Sequence, residues 1–286
     1  MDDGKRLFCF GLGFSAQALV ACLKPQGFAI AGTCRSHAKA AALRAEGIEA
    51  HVFTGDKPLA SAALTGTTHL LISVPPDEKG DPVFRTEAPA IAHIASDIRW
   101  AGYLSTTGVY GDRAGEWVDE TSPLLPTTTR GQRRLLAECQ WASLGLPLHF
   151  FRLAGIYGPG RNQLCSIADG SARRIVKPGQ VFSRIHVEDI AAVLAASIAQ
   201  PNPGAAYNVC DDEPAPPQDV VALAAELLRR PPPPEIAFED ADLSPMARSF
   251  YEDSKRVSNR RLHDELGVTL RYPTYREGLA ALVDTI

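Results

Sequence analysis

The chain has 286 residues, of which 45% are hydrophobic and 22% charged, with a formal net charge of −4. That composition is ordinary for a globular protein with an ample core. It argues against nucleic acid as a main partner, since no basic face or tail stands out, and no apolar run approaches the ~18 residues of a membrane span.

Residues 7–10 form an apolar strand that leads straight into Gly11-Leu12-Gly13-Phe14-Ser15-Ala16 and then into an Ala/Leu/Val-rich helical stretch. This is the strand–turn–helix order of a dinucleotide-binding Rossmann unit. Gly11 permits the tight turn, Gly13 lets the backbone approach a pyrophosphate, and small Ala16 lets the helix pack close to the strand. Helix 15–24 would then point its N–H groups and positive dipole end at the phosphates, beside Phe14 and Ser15.

A second strand at 29–33 ends in Gly32-Thr33-Cys34-Arg35-Ser36-His37, with no carboxylate before Glu46 to bind ribose hydroxyls. Arg35 and Ser36 instead offer a cation and a hydroxyl, with Lys39 one turn on, a set suited to a 2′-phosphate. The expected cofactor is NADP, with NAD left open. The alternative reading is a solvated Arg35 at a helix start with Ser36 as its N-cap.

Helix 36–46, strand 50–53, a weak helical pattern at 59–64 and strand 69–73 follow. Ser73, Val74 and Pro75 should line the cofactor, with Pro75-Pro76 as a rigid lip and the polar stretch 77–81 as a mobile loop. Helix 87–99, strand 102–105, helix 129–143 and strand 148–152 complete an alternation that predicts an α/β fold. Its centre would be a Rossmann-type doubly wound parallel sheet, with a smaller C-terminal substrate lobe. The Rossmann domain is expected over 1–155, with segment 185–204, which carries an apolar helix at 187–199, returning to it. The substrate-binding lobe is expected over 156–184 and 205–286, where Pro and Gly are frequent, Pro231–Pro234 is a stiff spacer, and helices read at 254–266 and 275–286.

Six cysteines (Cys9, Cys22, Cys34, Cys139, Cys165, Cys210) show neither a CxxC pair nor a nearby His at ligand spacing, and read as free thiols. The opening Met1-Asp2-Asp3-Gly4-Lys5-Arg6 lacks the pattern of a signal peptide. The expected location is the cytoplasm, with no metal, no nucleic acid and no membrane as partner.

Read together, these motifs resemble the extended short-chain dehydrogenase/reductase superfamily, the NAD(P)-dependent epimerase/dehydratase group. The resemblance covers nearly the whole chain. It rests on Gly11-Leu12-Gly13-Phe14-Ser15-Ala16, Leu104-Ser105-Thr106-Thr107-Gly108-Val109-Tyr110-Gly111, Asp119-Glu120 followed by Pro123, and Phe151-Arg152-Leu153-Ala154-Gly155-Ile156-Tyr157-Gly158-Pro159-Gly160. Arg184-Ile185-His186-Val187-Glu188-Asp189-Ile190-Ala191 and Tyr207-Asn208-Val209 fit the same order. Membership implies a cofactor domain, a substrate lobe and a small-molecule substrate. Family members are often homodimers through helices that here would include 87–99 and 129–143.

In that family a Ser/Thr and a Tyr bind the substrate oxygen, the Tyr passes the proton, and a Lys four residues later lowers the Tyr pKa and holds the nicotinamide ribose. The Ser/Thr carries over to Thr106. Counting back from Glu138 puts Arg130 at the Tyr position and Arg134 at the Lys position, and the segment 127–134 contains neither Tyr nor Lys. Arginine stays protonated near neutrality, so neither residue can relay a proton. Arg134 could still bond the nicotinamide ribose and Arg130 could clamp an anionic substrate; both could equally belong to a cationic helix face. Substitute proton donors are Tyr110, close after Thr106, and His186, at a helix entrance. Tyr157 lies where the family shapes the nicotinamide and substrate pocket, and Arg152 either forms an internal ion pair or touches substrate. The run 244–251 suits an anionic or planar ligand, or a packed loop. Two functions follow: an epimerase/dehydratase-like oxidoreductase with an atypical proton relay, acting on a carbonyl or alcohol of sugar-nucleotide type or another kind, or a catalytically inactive NADP(H)-binding sensor.

Overall fold

A computed structural model describes residues 4–286. Part of the opening stretch read above for a leader therefore lies outside the described residues. In chain order the elements are β1 (Arg6–Phe10), α1 (Phe14–Leu23), β2 (Ala29–Cys34), α2 (His37–Ala45), β3 (Glu49–Val52), β4 (His69–Ile72), α3 (Pro82–His93) and β5 (Trp100–Thr106). Then come β6 (Trp117–Val118), α4 (Thr129–Ala142), β7 (Leu148–Leu153), β8 (Gly155–Tyr157), α5 (Gln163–Ala168), β9 (Arg174–Val176), β10 (Arg184–His186) and α6 (Val187–Ala199). The chain ends with β11 (Ala206–Val209), α7 (Pro217–Leu227), β12 (Glu235–Ala237), α8 (Pro245–Ser249), β13 (Arg256–Val257), α9 (Arg260–Leu266) and α10 (Tyr275–Ala280).

Seven strands make one sheet in the order β11-β7-β5-β4-β1-β2-β3. β1 runs parallel to β2 and to β4, β2 to β3, and β4 to β5. Such strands are covered on both faces and read as short apolar runs, and Leu7, Phe8, Cys9 and Phe10 are all buried. The order reverses beside β1, the place where open sheets of this kind bind ligands beyond their carboxyl ends.

The chain divides into two compact units. The first comprises the residues up to Thr106, Gln132–Arg152 and Ile190–Tyr207; the second comprises Thr107–Gly131, Leu153–Asp189 and Asn208–Ile286. Phe8, Phe10, Phe53, Ile72, Tyr103 and Trp141 pack one core cluster. Tyr157, Leu164, Val221, Tyr275 and Leu279 pack another. Three small parallel pairs, β8–β10, β9–β12 and β6–β13, accompany the large sheet. No helix among the described residues is long and apolar enough to cross a membrane.

Several elements depart from the sequence reading, each for a local reason. The pattern at 59–64 is a 3-10 turn, Ser61–Leu64. α3 starts at Pro82 because the buried Asp81 side chain accepts from the Val83 and Phe84 amides, with proline in the first turn. The stretch 77–81, expected as a mobile loop, is a closed turn: Asp77 and Gly80 exchange backbone hydrogen bonds of 2.9 and 3.2 Å, and Arg85 pairs with Asp77 at 3.1 Å. Helix 254–266 is cut to α9 because Arg256–Val257 pairs with β6 instead. Helix 275–286 ends as α10, with a 3-10 turn at Val283–Thr285 behind it.

Candidate functional site

The glycine loop is fixed by bonds from the ends of two neighbouring strands and from α1. Gly11 has φ +93°; its N–H donates to Thr33 Oγ1 at 2.8 Å and its carbonyl accepts from Ser73 Oγ at 2.8 Å. Leu12 N donates to Thr33 O at 2.7 Å, and Gln17 Nε2 donates to Leu12 O at 2.9 Å. A Cβ on Gly11 would meet Ser73 Oγ and Val74 Cγ2, each at 3.1 Å. Gly11 is thus required by its backbone angle and by the close approach of the segment after β4.

Gly13 is different. It caps α1 in an extended conformation, no side chain caps the helix, and a Cβ built on Gly13 meets nothing within 4 Å. A helix start without a side-chain cap, behind open space at an unstrained glycine, suits a phosphate group. Ser15 and Ala16 are buried against this turn, and Phe14 opens the helix. Thr33 and Gln17 were not singled out from sequence, although a threonine closing β2 opposite the first glycine was a usable signal.

Past β2, Arg35 is exposed and has no ion pair among the described residues. Ser36 is the N-cap of α2, its Oγ accepting from Lys39 N at 3.3 Å. That bond uses an oxygen lone pair and leaves the hydroxyl hydrogen available. Ser73 and Val74 are half-buried and Pro75 exposed, immediately after β4.

Thr106 ends β5 and is half-buried. Beneath that strand end lies a buried polar group. Ser105 Oγ donates to Glu138 Oε1 at 2.5 Å, and Arg152 grips Glu138 through Nε (3.3 Å) and Nη2 (3.0 Å). Arg152 is therefore an internal ion-pair partner. Arg134 Nη1 donates to Leu104 O at 2.7 Å and Tyr103 Oη at 3.1 Å. Burial raises the pKa of Tyr103, against which Arg134 works. Asp81 accepts from Trp141 Nε1 at 3.0 Å, and burial pushes its carboxyl up as well.

In the second unit, Tyr110 is fully buried and donates to Asn208 Oδ1 at 2.7 Å. Asn208 in turn takes Glu120 Oε1 with its amide N–H (2.7 Å) and Ser258 O with its side chain (3.1 Å). This ties Tyr110 into the core. Arg130, exposed at the start of α4, sits with Cζ 4.1 Å from the Phe250 ring centre. Phe250 follows α8 in the run 244–251, so that run is a short helix rather than a loop.

Tyr157 and His186 face each other in the β8–β10 register, with ring centres 5.2 Å apart. His186 Nδ1 accepts from Glu188 N at 3.2 Å, while Nε2 has no hydrogen-bond partner among the described residues. Burial lowers its pKa, which leaves the imidazole neutral at neutral pH. Thr106 and Arg134 thus belong to the first unit with the glycine loop, and Tyr110, Arg130, Tyr157 and His186 to the second. No group of three or more His, Cys, Asp or Glu among the described residues is arranged to hold a metal ion.

No family model matches the chain. It is 28% identical to Protein YeeZ of Escherichia coli over 287 aligned positions, covering 94% of this chain and 97% of that protein. A solved protein from Silicibacter pomeroyi, described as conserved and of unknown function, is 57% identical with a TM-score of 0.91, covering 98% of each chain. A Methylobacillus flagellatus protein, provisionally named an NAD-dependent epimerase/dehydratase, is 25% identical with a TM-score of 0.71 over 98% of this chain and 97% of that one. The UDP-glucuronic acid 4-epimerase of Bacillus cereus, solved with UDP-glucuronic acid and NAD, shares the fold at 14% identity and a TM-score of 0.80, over 98% of each chain.

Proposed function

We propose that this chain, which shares the fold of NAD-dependent epimerase/dehydratase structures and lacks the tyrosine–lysine pair, is an NADP(H)-dependent oxidoreductase of a small carbonyl or alcohol substrate. The observation that carries this reading is the open, unstrained Gly13 at the N-terminus of a helix no side chain caps, in a loop that Thr33 and Ser73 lock at Gly11.

The residues present fit a dinucleotide. Gly11 to Ala16 would hold the diphosphate, Ser73 to Pro75 would flank the cofactor, and exposed Arg35 with the Ser36 hydroxyl would take a 2′-phosphate. When bound, the nicotinamide supplies the hydride chemistry. Thr106, at the carboxyl end of β5, would hydrogen-bond the reacting oxygen. Arg134 fixes the Leu104 carbonyl two residues before it, which positions the strand end that carries Thr106. The proton must come from a group other than Arg130 or Arg134, since neither deprotonates. His186 and Tyr157 are the titratable candidates in the second unit, the unit we assign to substrate. The Bacillus cereus epimerase holds a sugar nucleotide, so substrates of that kind head the panel to be tried.

The test is thermal stabilisation by NADP⁺, NADPH, NAD⁺ and NADH at equal concentration, followed by cofactor consumption across a carbonyl and alcohol panel. A nucleotide at ~100 times its Kd adds about 2.7 kcal/mol to the folded state. Stabilisation by the phosphorylated pair above the other, with turnover lost in Thr106→Val, is the expected result; no stabilisation by any of the four overturns the reading. One observation favours a second reading, a dinucleotide sensor without turnover: Arg134 is committed to Leu104 O and Tyr103 Oη at the position where a relay lysine would sit. Saturable binding without consumption of cofactor, in wild type and Thr106→Val alike, would establish it.

A further inference from the structure

The second unit contains a cation and two acids whose side chains act on one another without a mutual hydrogen bond, although the Asp211 amide donates to Arg184 O at 2.7 Å. β10 lies in parallel beside β8, with Arg184 next to Gly155 and His186 next to Tyr157. Side chains alternate along a strand, so Arg184 and Tyr157 share a face, and Gly155 places no side chain beside the guanidinium. Arg184 Nη1 is anchored on Phe182 O (2.9 Å) and Ala215 O (3.2 Å). Its Nη2 and Nε make no hydrogen bond to the described residues, and the side chain stays partly open although burial lowers its pKa.

Asp211 is 1% exposed, and neither of its carboxyl oxygens has a hydrogen-bond partner among the described residues. The Tyr157 hydroxyl is in the same position, wedged where a Cβ on Gly278 would stand. Arg184, Asp211 and Tyr157 nevertheless act on one another electrostatically. Buried polar groups without partners are rare and each calls for an explanation.

From these placements we propose that an oxyanion of the substrate, a carboxylate or a phosphate, is held between the Arg184 guanidinium and the Asp211 carboxyl group, with the Tyr157 hydroxyl as a third donor. The assignment deepens the oxidoreductase reading and rests on it only for calling that ligand the substrate. Burial pushes Asp211 up to about 8 despite Arg184, with Asp212 raising it further, so at neutral pH it carries a proton to donate. Burial first, then the charges of Asp211, Asp189 and Glu277, hold the Tyr157 proton in place against Arg184. Three mutually interacting donors, one of them a permanent cation, suit an acceptor-rich anion as ligand.

The test is calorimetric titration of the full chain, saturated with NADP⁺, with sulfate (standing for a phosphate) and with acetate, at constant ionic strength in chloride. At least one should bind saturably; sulfate alone assigns a phosphate and acetate alone a carboxylate. Arg184→Gln and Asp211→Leu should each weaken that binding at least about tenfold, while Asp211→Asn, which keeps a donor, retains it. Should the variants not fold, wild type suffices. Between about pH 6 and about pH 9.5 Asp211 loses its proton, and affinity should fall at least about tenfold. Neither anion binding, or binding unchanged by the folded variants or by pH, overturns the assignment. NADP⁺ affinity, followed in the same variants, should match wild type. Failure of wild type itself to bind NADP⁺ would sink the oxidoreductase reading and leave the anion result standing.

Discussion

The two glycines of the first loop separate folding from cofactor binding, and alanine at each gives opposite outcomes. At Gly13 the backbone is extended (φ −90°, ψ −165°), and a methyl group would meet nothing within 4 Å. Loss of unfolded-chain freedom would stabilise Gly13→Ala by roughly 0.4–1 kcal/mol. Alanine is a poorer N-cap than glycine, which takes back roughly 0.5–1 kcal/mol. The net change in stability is therefore near zero, and Tm should move by no more than ~2 °C. The methyl would nevertheless stand where phosphate oxygens must come within hydrogen-bond distance of the helix amides. Losing two charge-assisted bonds of about 1.5–3 kcal/mol each weakens NADP⁺ binding on the order of 100-fold or more.

Gly11→Ala reverses the pattern. At φ +93° an L-residue is strained, and its Cβ would crowd Ser73 Oγ and Val74 Cγ2 at 3.1 Å. The cost is roughly 1–3 kcal/mol, on the order of 5 °C in Tm. Scanning fluorimetry and NADP⁺ titration of the two variants side by side make the check. A Gly13→Ala protein that folds like wild type and binds NADP⁺ with the wild-type Kd would refute the assignment of this loop to the diphosphate.

Arg35→Glu should abolish preference for NADP⁺ over NAD⁺ in competitive titration while changing stability by less than about 0.5 kcal/mol, since Arg35 is exposed and has no ion pair among the described residues. Glu138→Gln leaves the buried Arg152 guanidinium without its counter-charge and should cost about 3–5 kcal/mol in denaturant unfolding; replacing both residues by apolar ones should cost less than the single change. Tyr110→Phe removes the donor to Asn208 Oδ1 and should cost about 1–3 kcal/mol with NADP⁺ affinity intact; a variant of wild-type stability that lost turnover would instead make Tyr110 the proton donor. Stability should fall as pH rises from about 4 to about 8: there the unfolded Asp211 has lost its proton and the folded one keeps it, so the native state binds more protons and alkali favours unfolding. Asp211→Asn should flatten that slope in a Tm–pH profile.

The first six strands of the large sheet were readable because parallel strands buried on both faces are short apolar runs between turn residues, and all lie within a residue or two of their expected places. The seventh, β11, is four residues long and sits among prolines and glycines, so only its pairing beside β7 reveals it as a strand. The glycine loop was legible as a turn, since the positive φ of Gly11 and the buried position of Ala16 are local requirements of it. Its clamps were not, because Thr33 and Ser73 reach Gly11 from strands far along the chain. The same limit hid Arg184 and Asp211: nothing near either residue in sequence says that the other lies across from it. Asp81 is the intermediate case. An Asp–Pro pair is a usable helix-start signal, yet its burial and its bond to Trp141 depend on α4.

Arg134, at the position the resemblance gives to the relay lysine, is committed to structure. Arg134 donates to a carbonyl of β5, and its charge opposes the burial that holds the Tyr103 proton. A lysine relay needs its ammonium mobile and near a phenol that ionises; here the guanidinium is fixed on a peptide oxygen, beside a phenol whose pKa burial drives upward. That side chain braces the strand end that carries Thr106. If the protein turns over, the proton must then come from a group other than Arg134. His186, whose pKa burial lowers and whose Nε2 has no hydrogen-bond partner among the described residues, is the group of the second unit to test first. His186→Gln should therefore abolish turnover while leaving NADP⁺ affinity at the wild-type value, and equal loss of both would show the residue to be holding the fold instead.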